Sequence, residues 1–125
     1  MPHLVRATIF DGVAVASTGS QTSGVVSLQH VSTLESIVLK ASSVLGAADV
    51  KLEYSTSPDN ASFDSFDDNA DITSSQATDK PNNTEGYNAF PHPAPLNNFI
   101  KWKVTGVGAN PADTLVSAYA MLQED

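Results

Sequence analysis

No cysteine occurs among the 125 residues, which excludes disulfides and every cysteine-based zinc site. Charge is also sparse. Only 16% of residues are Asp, Glu, Lys or Arg, against about 25% in an average globular chain. Basic residues are the scarcer kind, six against fourteen acidic ones, for a formal charge of −8. Neutralising a phosphate backbone takes a basic stripe, so this balance argues against a nucleic-acid partner. No apolar run is long enough to cross a membrane as a helix. The start, Met1-Pro2-His3-Leu4-Val5-Arg6, lacks a basic segment followed by an apolar one, so no leader is read and synthesis in a cytoplasm is expected.

What fills the space left by charge is Ser, Thr, Asn and Ala, together with an ordinary 41% of hydrophobic residues. Small polar and β-favouring residues suit short strands joined by turns better than long surface helices, which carry Glu and Lys in quantity. Leu4 to Phe10 is a β-branched and apolar run closed by Asp11-Gly12, with Val13 to Ala16 as the expected returning strand of a hairpin. Ser17 to Ser23 is small and polar, and Val25 to His30 reads as a third strand. From Glu35 to Ser42, Ile37, Leu39 and Ala41 alternate with Ser36, Val38 and Lys40. From Asp49 to Ser57, Val50, Leu52 and Tyr54 alternate with Lys51, Glu53 and Ser55, as in a half-solvated antiparallel strand.

Asp59 to Glu85 is polar and without period, and a weak strand is expected near Ala70 to Ser75 because long structureless loops are unusual in compact domains. Asn88 to Pro95 is extended and punctuated by proline. Asn98 to Val104 is a strong strand, with Ile100, Trp102 and Val104 opposite Phe99, Lys101 and Lys103. Thr114 to Leu122 also fits helical spacing, but a helix would expose Val116 and Ala120 with no charged face opposite, so a closing strand is expected. The chain thus reads as one all-β domain over residues 1–125, an antiparallel β-sandwich or jelly roll of seven to nine strands. Residues 1–10 are either a first strand or an N-terminal arm that could add to a neighbour's sheet.

Few residues form a pattern that carries chemistry. Asp59, Asp64, Asp67, Asp68 and Asp71 could supply oxygen ligands for Ca²⁺, although their spacing does not match an EF-hand loop and a solvated acidic loop is the competing reading. His3, His30 and His92 are scattered, which suits surface or turn positions; no Gly-x-Ser-x-Gly elbow accompanies them. Glu35, Glu53 and Glu85 are the candidates for a glycosidase pair, with little chain to build a cleft. Gly106-Val107-Gly108 lacks the third glycine and the following helix of a dinucleotide loop. Nothing calls for a cofactor or for enzymatic activity. Trp102, Tyr54, Tyr87 and Tyr119 would make a sugar platform if exposed, but Trp102 shares its side with Ile100 and Val104 and reads as core. The sequons at Asn60 and Asn82 matter only on a eukaryotic secretory route.

The strand Asp49 to Ser57 runs into Pro58-Asp59-Asn60-Ala61-Ser62-Phe63, and Asn98 to Gly106 is followed by Thr114-Leu115-Val116-Ser117-Ala118-Tyr119. This succession resembles the small β-sandwich virion proteins of tailed bacteriophages. In those, an Asp-rich turn after a strand places an aromatic residue that tucks back under the sheet, and a final T-L-x-x-Y strand follows a glycine-rich loop. Phe63 stands for the usual Trp, Lys101 for the usual Arg, and residues 64–83 form a longer insert. The resemblance covers about residues 20–122 and implies a non-enzymatic virion part. That part would be a capsid decoration (cement) protein bound in many copies to the major capsid protein, often as a trimer, or a neck or tail component. A carbohydrate-binding module and a small hydrolase are the competing functions.

Overall fold

The computed structural model describes residues 3–16, 19–42, 49–66, 87–107 and 114–124. Eight strands follow one another: β1 (His3–Val15), β2 (Ser20–Thr22), β3 (Val26–Ser27), β4 (Val31–Ser42), β5 (Asp49–Ser57), β6 (Asn88–Pro91), β7 (Phe99–Val107) and β8 (Thr114–Glu124). They form two antiparallel sheets. Sheet A has the order β1-β8-β4-β6. Sheet B is built around β7, which pairs along its whole length with β5 and, on its other edge, with β2 and then β3. The fold is an all-β sandwich, and the closing segment is strand rather than helix.

The two-residue alternation explains how the core is filled. Sheet B contributes Val50, Leu52 and Tyr54 from β5 and Ile100, Trp102 and Val104 from β7; sheet A contributes Ile37, Leu39 and Ala41 from β4 and Val116, Ala118, Ala120 and Leu122 from β8. Phe10 and Val15 of β1 join the same cluster. Each of these sets is one face of its strand, and one apolar body draws on both sheets. Burying it is the main stabilising term, at roughly 25 cal/mol per Å² of apolar surface.

Four expectations are corrected. Asp11-Gly12 is not a hairpin turn. β1 runs straight through it and pairs with β8 on both sides, with register shifts between Thr8 and Phe10 and between Phe10 and Val13. Gly12 has φ +63°, the left-handed region that a hairpin turn and a bulge both require, so the dipeptide alone does not distinguish them. The bulge wins because β8 supplies a continuous partner, and Ser117 Oγ accepts the Gly12 N–H at 3.0 Å.

The third strand is shorter than Val25 to His30, since only Val26–Ser27 pairs, and Ser20–Thr22 is a strand within the stretch read as polar. All three residues of β2 are exposed, so there was no alternation to read; the strand exists because β7 offers an edge. Ser23 then bridges β2 and β3: its N–H donates to the Trp102 carbonyl at 2.8 Å, and its hydroxyl oxygen accepts the Trp102 N–H at 2.9 Å. The side chain stands in for a backbone carbonyl where the edge bends.

The outer face of β5 is not half-solvated. Glu53 is only 5% exposed and Ser55 and Ser57 are fully buried. Glu53 lies 3.6 Å from the Lys51 ammonium and 3.8 Å from that of Lys103, its partner across the ladder. Two cations offset the cost of taking one carboxylate out of water. The expected strand at Ala70 to Ser75 lies outside the described residues.

Candidate functional site

The acidic turn after β5 comes first, because it held the calcium candidates. Asp59 Oδ1 accepts the N–H groups of Ala61 and Ser62 and the Ser57 hydroxyl, each at 2.9 Å. These bonds, the backbone donors foremost, hold its carboxyl below the usual carboxylate range. Asn60 takes φ 59°, which asparagine tolerates better than most residues. The chain then folds back, so that Asp64 Oδ1 accepts the Thr56 N–H at 2.9 Å while the Thr56 carbonyl accepts the Asp64 N–H. Ser55 donates to the Asp64 carbonyl at 2.7 Å. These two aspartates therefore close a turn over the outer face of β5. Asp67, Asp68 and Asp71 lie outside the described residues. Phe63 returns to the outer face of sheet B, with the Lys101 ammonium 4.3 Å from its ring centre.

The histidines separate into two kinds. His3 is exposed and sits 3.7 Å from Glu124, its partner on β8, and His30 is exposed in the turn before β4. His92 is neither a surface nor a turn residue, which corrects the expectation. It is 8% exposed, its ring centre 4.7 Å from that of Tyr54 and edge-on to Trp102 at 6.0 Å.

Trp102 Nε1 has only a proton to give, so at 3.2 Å it makes His92 Nε2 the acceptor. His92 Nδ1 then carries the proton and donates to the Pro93 carbonyl at 2.7 Å. Both nitrogens are committed and the ring is neutral; burial pushes its pKa below the ordinary value. Burial, and secondarily Asp64, pushes the Tyr54 phenol up. This cluster is an internal polar strut, since using His92 as a base would break the bond to Trp102. Of the three, His92 also lines a cavity of about 450 Å³, together with Leu28, Leu34, Pro95 and the nearly fully exposed Leu96.

The two described glutamate candidates lie on different sheets. Glu35, on β4 of sheet A, accepts the Gln123 side-chain amide at 3.1 Å; Glu53 belongs to sheet B, and Glu85 lies outside the described residues.

The four candidate platform aromatics divide the same way. Trp102 and Tyr54 face each other across β5 and β7 inside the core. Tyr87 and Tyr119 lie half-buried on the outer face of sheet A, ring centres 6.0 Å apart. Arg6 from β1 stands over Tyr119 at 4.9 Å, and Lys40 from β4 over Tyr87 at 5.7 Å. A cation–ring–ring–cation strip thus crosses the sheet, with each spacing inside the range where such contacts attract. Beside it a shallow cleft of about 210 Å³ is lined by Arg6, Thr8, Asp11, Tyr87, Ser117 and Tyr119.

The sequence reading missed Arg6, Lys40, Thr8 and Ser117 as site residues. Their signal was present, because each alternates with core residues on its strand and so faces outward. What no single strand reveals is that β1, β8, β4 and β6 are neighbours in that order. No protein-family model matches the chain, and neither the curated proteins nor the solved structures contain a significant match to it.

Proposed function

We propose that the protein is a non-enzymatic virion structural part, a capsid decoration protein held in many copies on a head shell. The observation that carries this reading is the edge of sheet A. β1 spans thirteen residues and occupies the end of the strand order, so among the described residues its outer edge has no partner strand. An edge of this length offers a row of backbone donors and acceptors to another chain. Its regular half, His3 to Thr8, lies before the bulge and carries the exposed Leu4. Many modest contacts of this kind, repeated over a lattice, retain a protein that each contact alone would release. The committed nitrogens of His92 and the separation of Glu35 from Glu53 support a surface role over a catalytic one.

The test is binding to head shells assembled without the protein, with mass in solution measured alongside. Saturable binding at a fixed ratio to the shell protein, from a trimeric species, is the expected result. A monomer that leaves such shells bare would overturn the proposal. Substituting the exposed Leu4→Lys on the edge strand should reduce shell binding more than it reduces folding, because a charged side chain on an edge opposes strand addition.

A further inference from the structure

We propose that the cleft on the outer face of sheet A is a binding site for a carboxylate-bearing saccharide. Its lining combines what such a ligand needs. Tyr87 and Tyr119 present ring surface against which the C–H faces of a sugar pack, and the hydroxyls of Thr8 and Ser117 reach its oxygens. Ser117 Oγ accepts from Gly12 N–H, which leaves its own proton to donate into the cleft. Asp11 accepts from sugar hydroxyls at the bulged end of the cleft. It lines the cleft because the bulge re-aims β1 there, a common use of bulges beside binding sites.

The charge argument selects an acid sugar over a neutral one. The chain has six cations against fourteen acids, and among the described residues Lys51 and Lys103 are already paired with Glu53. Arg6 and Lys40, by contrast, make no ion pair among the described residues and stand over tyrosine rings. Stacking holds the Arg6 guanidinium in place while leaving its fork of donors for a planar carboxylate. An exposed arginine fixed beside paired aromatic rings on an otherwise acidic molecule is a local attraction for one anionic group. Asp11 sets the orientation, since a ligand carboxylate must lie toward Arg6 and away from Asp11. The site lies on the sheet face and not on the β1 edge, so it is independent of shell attachment.

Titration of the whole protein with trigalacturonate, and with the neutral galactose trisaccharide of the same length, tests this. Saturable binding of the acid sugar, at least about tenfold tighter than the neutral one, is expected. Arg6→Gln should erase that preference, and Tyr119→Ala should weaken both sugars while circular dichroism shows the fold intact. Absence of saturable binding overturns the proposal, as does an Arg6→Gln variant that keeps the preference. Displacement of the trisaccharide by equimolar acetate also overturns it, since the cleft would then hold any small anion. Should Tyr119→Ala unfold the protein, Tyr119→Phe and the shifts of the Tyr87 ring signals on titration decide the same question.

Discussion

Tyr54, His92 and Trp102 lie inside the sandwich, while Tyr87 and Tyr119 lie on the outer face of sheet A, and each set is held by a different kind of contact. Inside, the polar atoms satisfy one another: indole to imidazole, imidazole to carbonyl. Outside, the rings are met by side chains from β1 and β4 that carry charge and stay in contact with water. A buried polar group must be paired, and a neutral partner of fixed geometry does so most cheaply, because desolvating an ion is expensive. A surface ring can accept a cation that water still solvates. The same residue types therefore serve stability in one place and, in the proposed site, recognition in the other, and burial separates the two.

Mutation should separate the two regions most sharply at Trp102. Trp102→Ala removes the largest fully buried side chain and is expected to cost about 3–5 kcal/mol, read by urea unfolding. His92 comes next. His92→Ala leaves the Trp102 indole N–H without its acceptor, at about 1–3 kcal/mol. His92 also gives the inner cluster a pH signature. The unfolded chain binds a proton near the ordinary value of 6.5, and the folded state binds it only at lower pH. Between those values the unfolded state holds more protons, so stability is complete above about 6.5, declines as pH falls through that window, and levels off below the folded value. Unfolding midpoints measured from pH 8 to 5 should show the decline, and His92→Gln should remove the part of it centred there.

Gly12→Ala is expected to cost about 1–2 kcal/mol by thermal unfolding. A Cβ at Gly12 meets nothing within 4 Å, so the cost comes from the +63° φ alone, and Gly12→Asn should recover part of it. The smallest change belongs to the outer strip, where Arg6→Gln should cost no more than about 1 kcal/mol. A loss there as large as that at His92 would mean that the strip is structural, and the contrast between the two regions would fail.

Much of the fold was legible because antiparallel strands with one buried face alternate openly, as Ile37 to Ala41 and Ile100 to Val104 do. Pairing was less legible. β2 has no buried face to betray it, and Asp11-Gly12 satisfies a turn and a bulge equally until β8 is known to run past both halves. Burial on the outward face was hidden as well. Glu53 and Ser55 read as solvent-facing by period, and among the described residues the turn at Asp59 to Asp64 and the flanking lysines lie against that face. For the site, the prolines marked Asn88 to Pro95 as extended, yet the bond from Trp102 to His92 joins residues ten positions apart through a loop of no fixed period. The cation–tyrosine strip joins β1, β8, β4 and the residue before β6, elements whose order no local pattern states.

The proposed role of this sandwich as a shell-binding part is tested most directly by co-sedimentation with head shells lacking it. Saturable retention at a fixed number of copies per shell is expected, lost when the edge of β1 is blocked by Leu4→Lys. A well-folded protein that stays in the supernatant at every concentration would contradict it.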